Sequence, residues 1–227
     1  MGREPVVICY HAVHETWPHR LALPREQLLS QVRVGLRLRG GVHATFDDAY
    51  RNIGSILPEL LAMGVAVTVF ACTGFADRGG APLTVPELAS DDPEDLDGLT
   101  TMTWDELRAL AGDGIAIGSH TVSHPHLPRL ADDELARELR DSKARVEEEM
   151  GRPCPTLAYP YGDHDARVRA AARAAGYERA YALKARPGDP WESPRVDLYR
   201  RDTPLRAALK FSPLYVPAAR VLERFRS

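Results

Sequence analysis

Asp47 and Asp48 stand side by side at the end of the apolar run Val42-His43-Ala44-Thr45-Phe46. Two ionised carboxylates at one strand end repel each other and gain nothing from burial. A cation reverses that sign, so further metal-ligating side chains are expected at a comparable place in the chain. They occur in Gly118-Ser119-His120-Thr121-Val122-Ser123-His124, where another apolar run ends in a His-x-x-x-His pair. One Asp and two His form a ligand set for zinc or a similar divalent ion, with positions left for water and substrate. Pro125 follows His124 directly, which favours a tight turn leading into one short helical segment as the way both imidazoles reach one ion. Consecutive strand residues point to opposite sides, so Asp47 and Asp48 are expected to take different roles. One binds the ion and the other serves as a base beside it, which is an arrangement for hydrolysis.

A hydrolytic site also needs an acid for the leaving group and donors for the developing oxyanion. His11 ends a separate apolar run, Pro5 to Tyr10, and histidine is the side chain that ordinarily titrates near neutral pH. The turn Pro160-Tyr161-Gly162, directly after Tyr159, can aim a backbone N–H at the oxyanion. Proline has no N–H, so Tyr161 or Gly162 is the donor, and the Tyr161 ring is also placed to meet a sugar. His126 is read as a loop residue near the same site, and Trp104 as core. Arg195 lies where a last strand could end beside Asp47 and orient it. His14, His19, His43 and His164 are expected to be structural or exposed.

These residues need elements that bring strand ends together. Apolar runs predict strands over 5–10, 42–46, 65–71, 115–118, 156–159 and 179–183. Between them, helical periodicity covers 24–37, about 55–61, 103–111, 132–150 and 165–175, with Gly-Gly, Gly or Gly-x-Pro at the stops. Thr103-Trp104-Asp105-Glu106 reads as a capping box. Residues 73–102 carry no apolar period and read as a long loop. Alternating strands and helices predict an α/β fold with a parallel sheet. His11, Asp47-Asp48, His120 and Pro160-Tyr161 each fall just past a different strand, which favours a barrel of six to eight strands, where such ends converge on one face.

At 227 residues the chain fits one domain, and 44% hydrophobic with 27% charged residues is ordinary for a soluble globular protein. A net charge of −3 gives no argument for nucleic acid as a partner. Cys9, Cys72 and Cys154 are an odd number with no Cys-x-x-Cys, so free thiols in a reducing compartment are expected. Met1 to Pro5 lead into only five apolar residues before His11, which predicts neither a signal peptide nor a spanning helix, and hence a cytoplasmic protein. Residues 195–227 carry eight bases against three acids, with Leu205, Leu209, Phe211, Leu214, Val221, Leu222 and Phe225 interleaved. This basic segment is read first as a helix packed across the barrel's open side, and second as a contact with a membrane surface carrying lipid-linked sugar.

Thr45-Phe46-Asp47-Asp48-Ala49-Tyr50, Ser119-His120-Thr121-Val122-Ser123-His124-Pro125 and Tyr159-Pro160-Tyr161-Gly162, in this order and spacing, resemble three motifs of the polysaccharide deacetylase family. The resemblance covers roughly residues 5–185. It implies a distorted (β/α)7 barrel forming one catalytic domain over 1–227, with Asp48, His120 and His124 as ligands of a divalent metal, usually zinc. It further implies Asp47 as general base, the Tyr161 backbone N–H as oxyanion donor, Pro160 and Tyr161 against the substrate, and removal of acetyl from an N-acetylated, less often O-acetylated, sugar or glycan. Ala49 stands where the family often has Gly, and Ala158 where it often has Arg. The family's late Leu-x-Leu-His motif has no counterpart, since no His follows His164. Tyr10-His11 resembles instead a permuted variant with Tyr-His near the N-terminus, which implies His11 as the acid. Two other readings stand beside this one: hydrolysis of a non-sugar amide such as a cyclic imide or formamide, and a non-catalytic carbohydrate-binding relative in which His11 is uninvolved.

Overall fold

Runs such as Val6–Tyr10 and Ala66–Ala71 are buried at almost every position, so both faces of each strand must be covered and the sheet cannot face water. The computed structural model describes residues 5–17, 19–83, 92–183, 185 and 188–212. In chain order the elements are β1 (Val6–Tyr10), β2 (Ala12–Val13), β3 (Ala22–Leu23), α1 (Arg25–Arg39), β4 (Val42–Phe46), α2 (Leu57–Ala62), β5 (Ala66–Ala71), α3 (Thr73–Ala76) and α4 (Pro93–Gly98). There follow α5 (Trp104–Gly112), β6 (Ala116–Ser119), α6 (Asp132–Met150), β7 (Thr156–Ala158), α7 (Ala166–Ala174), β8 (Arg179–Ala182), β9 (Ser193–Pro194), β10 (Val196–Asp197) and α8 (Pro204–Lys210).

The main sheet has eight short strands in the order β10-β1-β4-β5-β6-β7-β8-β9, each parallel to its neighbours. Its two ends are halves of one segment. β9 pairs with β8, β10 pairs with β1, and only Arg195 separates them. Arg195 donates its N–H to Ala182 O, and Leu198 donates to Cys9 O, so the chain steps from one edge to the other and closes the ring. With β9 and β10 taken as one broken strand, the fold is the distorted seven-stranded barrel that the resemblance implies. β2 and β3 form a separate parallel pair beside it.

Helices cover the outside with apolar stripes. α1 buries Leu28, Leu29 and Val32, and α6 buries Leu135, Leu139 and Val146, each worth roughly 1.5–3 kcal/mol relative to exposure. Gly40 and Gly151 end these two helices in the left-handed conformation that a side chain disfavours.

Three sequence expectations change in detail. The helix read from Ser55 begins at Leu57, after a 3₁₀ segment Arg51–Ser55, and so has Pro58 in its first turn. The stretch read as a loop over 73–102 contains α3 and α4 and is tied back by bridges Tyr50–Thr101 and Pro82–Thr100. α8 packs against α1 rather than across an open side, because residues 193–197 leave no open side to cover. Ala207 and Phe211 are buried there, while Leu205 and Leu209 are exposed. Leu214, Val221, Leu222 and Phe225 lie outside the described residues. Among the described residues no helix is long and apolar enough to cross a membrane.

Candidate active site

Parallel strands deliver their C-terminal ends to one rim, and the chemistry-bearing residues follow those ends. β1 leads to His11, β4 to Asp47 and Asp48, β6 to His120, β7 to Pro160 and Tyr161, and the broken strand β9–β10 holds Arg195. His11, Asp47, Asp48, His120, His124 and Tyr161 line one cavity of about 140 Å³. The backbone is bent to achieve this. Among the described residues, the non-glycine residues with positive φ are Asp48 (69°), Ala49 (53°), Thr121 (69°), His124 (59°) and Tyr161 (60°). All fall in the three site loops, where the surrounding structure holds a conformation costing on the order of 1–3 kcal/mol per residue.

Asp48, His120 and His124 form a tight cluster. His120 Nε2 lies 3.5 Å and His124 Nε2 3.3 Å from Asp48 Oδ1, and all three residues are buried. Asp48 Oδ1 makes no hydrogen bond. The Ala158 carbonyl, 2.8 Å from His120 Nδ1, can only accept, which places the ring proton on Nδ1 and the lone pair on Nε2. A lone pair and a carboxylate oxygen therefore face each other, an arrangement that a cation satisfies. Burial lowers the His120 pKa to about 4, outweighing the charges of Asp47 and Asp48, which keeps this imidazole neutral and its lone pair available near neutral pH. Burial also raises the Asp48 carboxyl, against the pull of His120 and His11. The donor set fits a divalent metal ion.

The His-x-x-x-His segment is a turn, as Pro125 leads one to expect, followed by the 3₁₀ segment Leu127–Arg129. His124 donates its N–H to Thr121 Oγ1 at 3.1 Å. Glu138 on α6 accepts from the N–H groups of Val122 (2.8 Å) and Ser123 (3.0 Å) and from Ser123 Oγ (2.6 Å). One carboxylate thereby holds the turn that presents both imidazoles.

Asp47 points the other way. Arg195 Nη1 and Nη2 donate to its two oxygens at 2.6 and 2.7 Å, and Arg195 Nη1 also donates to Thr45 Oγ1 at 3.0 Å. The Cys9 thiol donates to Asp47 Oδ2 at 3.4 Å. The guanidinium lies over the Phe70 and Tyr181 rings, 5.6 and 5.8 Å from their centroids. Burial alone would push the Asp47 carboxyl up, but the charge of Arg195, with those of His120 and His11, outweighs it and holds the group well below the usual carboxylate range. Cys9, His11 and Asp47 also bring ligand atoms within 4.8 Å of one another. A cation there would compete with the Arg195 guanidinium, which already donates to both Asp47 oxygens.

In the third loop Gly162 donates its N–H to Tyr159 O at 2.9 Å, so of the two candidate oxyanion donors the Gly162 amide is engaged in the turn. The Tyr161 ring stacks on His126, centroids 3.9 Å apart and planes 11° apart, and meets the His124 ring edge at 4.6 Å. His126 is a loop residue beside the site, as read. Pro160, expected against the substrate, is buried and does not line the cavity; it starts the turn. Trp104 is core, donating Nε1–H to Asp77. Cys9, Glu138, Arg20, Leu21, Leu183 and Tyr199 complete the surroundings without any local motif to announce them.

Residues 38–180 match the model of a family described as polysaccharide deacetylase. That span holds Asp47, Asp48, His120, His124 and Tyr161; it begins after His11 and ends before Arg195. A Bacillus subtilis (strain 168) protein named for polysaccharide deacetylation, YxkH, is 24% identical over 170 residues, or 73% of this chain, and the chain spans 54% of that relative's length. Among solved structures, the fold is similar to that of the Streptococcus pyogenes deacetylase PplD in complex with acetate, with 18% identity, a TM-score of 0.75, and coverage of 92% of this chain and 98% of that one. It is also similar to IcaB from Ammonifex degensii, with 22% identity, a TM-score of 0.70, and coverage of 93% and 98%.

Proposed function

Because this chain belongs to the polysaccharide deacetylase family, we propose that it hydrolyses the amide of an N-acetylated sugar or glycan, releasing acetate and leaving a free amine. The observation that carries this reading is the separation of the two adjacent carboxylates, both lining one cavity: Asp48 faces His120 and His124, and Asp47 is held by Arg195. Asp48, His120 and His124 would hold a divalent metal ion, zinc in the simplest assignment, which when bound polarises the acyl oxygen and acidifies a water.

The chain's own groups supply the proton movements. Asp47 takes a proton from the attacking water, and Arg195 fixes both of its oxygens while it does so. Water adds to the acetyl carbon, the Tyr161 backbone N–H meets the oxyanion, and the C–N bond breaks as His11 gives a proton to the amine. His11 stands beside Asp47, with ring nitrogen and carboxylate oxygen within 4.8 Å, so acid and base flank one small volume. The cavity is of a size for an acetamido group, with the sugar ring at the rim by Tyr161.

Acetate release from N-acetylglucosamine oligomers tests the reading. Chelation is expected to abolish it, and Asp47→Asn to reduce it by at least a hundredfold with bound metal retained. Full activity in Asp47→Asn sinks the mechanism. Ring opening of cyclic imides without acetate release from any sugar points instead to a non-sugar amide, and turnover lost in His11→Ala excludes a purely binding role.

A further inference from the structure

The catalytic cavity does not end at the metal-ligand cluster. It shares Arg20 and Tyr199 with a second, wider cavity of about 370 Å³ walled by Arg20, Tyr199, Arg200 and Arg201. Three arginines thus line the rim of the site. Arg200 donates to the carbonyls of Ala22 (3.1 Å), His14 (2.9 Å), Trp17 (2.8 Å) and Glu15 (3.3 and 3.4 Å), so all three of its nitrogens clamp the connection between β2 and β3 that carries Arg20. Those acceptors are neutral, so the charge of Arg200 is not cancelled. Arg201 lies over the Tyr199 ring, 5.8 Å from its centroid. Among the described residues neither Arg20 nor Arg201 pairs with a carboxylate, and both are exposed.

The nearby acids are already engaged. Asp202 accepts from Lys210 at 2.9 Å and from the Tyr199 N–H at 3.0 Å. Asp197 lies 3.8 Å from Lys210. Gathering like charges without partners is unfavourable, and a neutral sugar ring gives no compensation for it. An anion does, because the planar guanidinium fork matches a carboxylate or phosphoryl group in two-point contact.

We infer that Arg20 and Arg201, with Arg200 adding its charge and holding the Arg20 loop, form an anion subsite that takes a carboxylate or phosphoryl group carried by the same substrate whose acetamido group enters the catalytic cavity. This rests on the deacetylase reading and narrows it: the preferred substrate is an acidic acetamido sugar. Continuity of the two cavities through Arg20 and Tyr199 lets one molecule occupy both.

Acetate release is measured at low salt from N-acetylglucosamine, N-acetylglucosaminuronic acid and N-acetylglucosamine 1-phosphate, with the wild type, Arg20→Gln and Arg201→Gln. The wild type is expected to favour at least one acidic sugar by on the order of tenfold or more in kcat/KM, mainly through KM. Each substitution moves that ratio toward one, and added salt does the same. Preference for the uronic acid identifies a carboxylate site, and preference for the phosphate ester a phosphoryl site. Equal kcat/KM on all three sugars overturns the subsite while leaving deacetylation intact. If none releases acetate, the deacetylase reading fails on these sugars, and calorimetric titration of the same three against the metal-loaded protein decides the subsite separately. Acidic sugars that bind no tighter than the neutral one, or equally well to both variants, overturn it.

Discussion

Replacing Arg195 with Met separates the Asp47–Arg195 pair from everything else at the site. The Arg195 side chain is fully buried and Asp47 nearly so, and the two share hydrogen bonds of 2.6 and 2.7 Å. Methionine has about the same reach and fills the space against Phe70 and Tyr181, so packing loss is small and charge loss dominates. Removing one partner of a buried pair strands the other and costs about 3–5 kcal/mol. For a chain of this size that lowers Tm by on the order of 10 °C. Asp47→Asn alone is expected to cost a similar amount, since it leaves Arg195 buried with a neutral partner. In Asp47→Asn/Arg195→Met neither charge remains, and much of the loss should be recovered. Urea denaturation of the four proteins gives the coupling energy, expected at about 3 kcal/mol or more. Additive losses, with coupling below about 0.5 kcal/mol, would refute the claim that Arg195 neutralises and positions Asp47.

The remaining expectations concern stability at other points of the barrel. Burial, helped by the charges of Arg195 and Arg179, lowers the His43 pKa from 6.5 to about 4, so between those values the unfolded chain binds a proton that the folded chain does not. The resulting stability is complete above pH 6.5 and is lost as pH falls toward 4, at up to about 1.4 kcal/mol per pH unit; urea melts at pH 7 and pH 5 should show a smaller loss in His43→Gln than in the wild type. Gly118→Ala would place a Cβ 2.5 Å from Phe70 Cε1 and 2.8 Å from Thr156 Oγ1. It should cost about 1–3 kcal/mol by overpacking beneath Arg195, again read from urea melts. Thr103→Ala removes the hydroxyl that accepts from Glu106 N–H and should cost about 1 kcal/mol, a fall in Tm of about 2–4 °C by calorimetry.

Much of the barrel is legible because its signals are local. Strands buried on both faces read as unbroken apolar runs, and the predicted runs at 42–46, 65–71 and 179–183 correspond to β4, β5 and β8 within a residue. The capping box at Thr103 is present as read. At residues 193–197, where a last strand could end, the signal is much weaker. Two-residue strands on either side of Arg195 have no period to detect, and Pro194 argues against a strand, yet this segment closes the sheet.

The site divides along the same line. Asp47-Asp48 and His120-x-x-x-His124 stand out in the sequence because adjacent carboxylates at a strand end and paired histidines near a proline are chemically unusual over a few residues. Sequence spacing also separates the two aspartates, since neighbouring residues on a strand diverge. Which partner each one meets is a tertiary fact. Arg195 lies 148 residues from Asp47, Cys9 lies 38 away from it, and Glu138 is 15 residues from the Ser123 it holds. A hydrogen bond across the barrel leaves no periodicity in either segment; the sequence offered Arg195 as a residue that could orient Asp47, and the closing strand supplies the two-point contact between them. The candidate residues and the expectation that the two aspartates differ were written in the sequence; that Asp48 meets His120 and His124 while Asp47 meets Arg195 depended on the closure of the barrel, because burial and charge pairing act through distance in space.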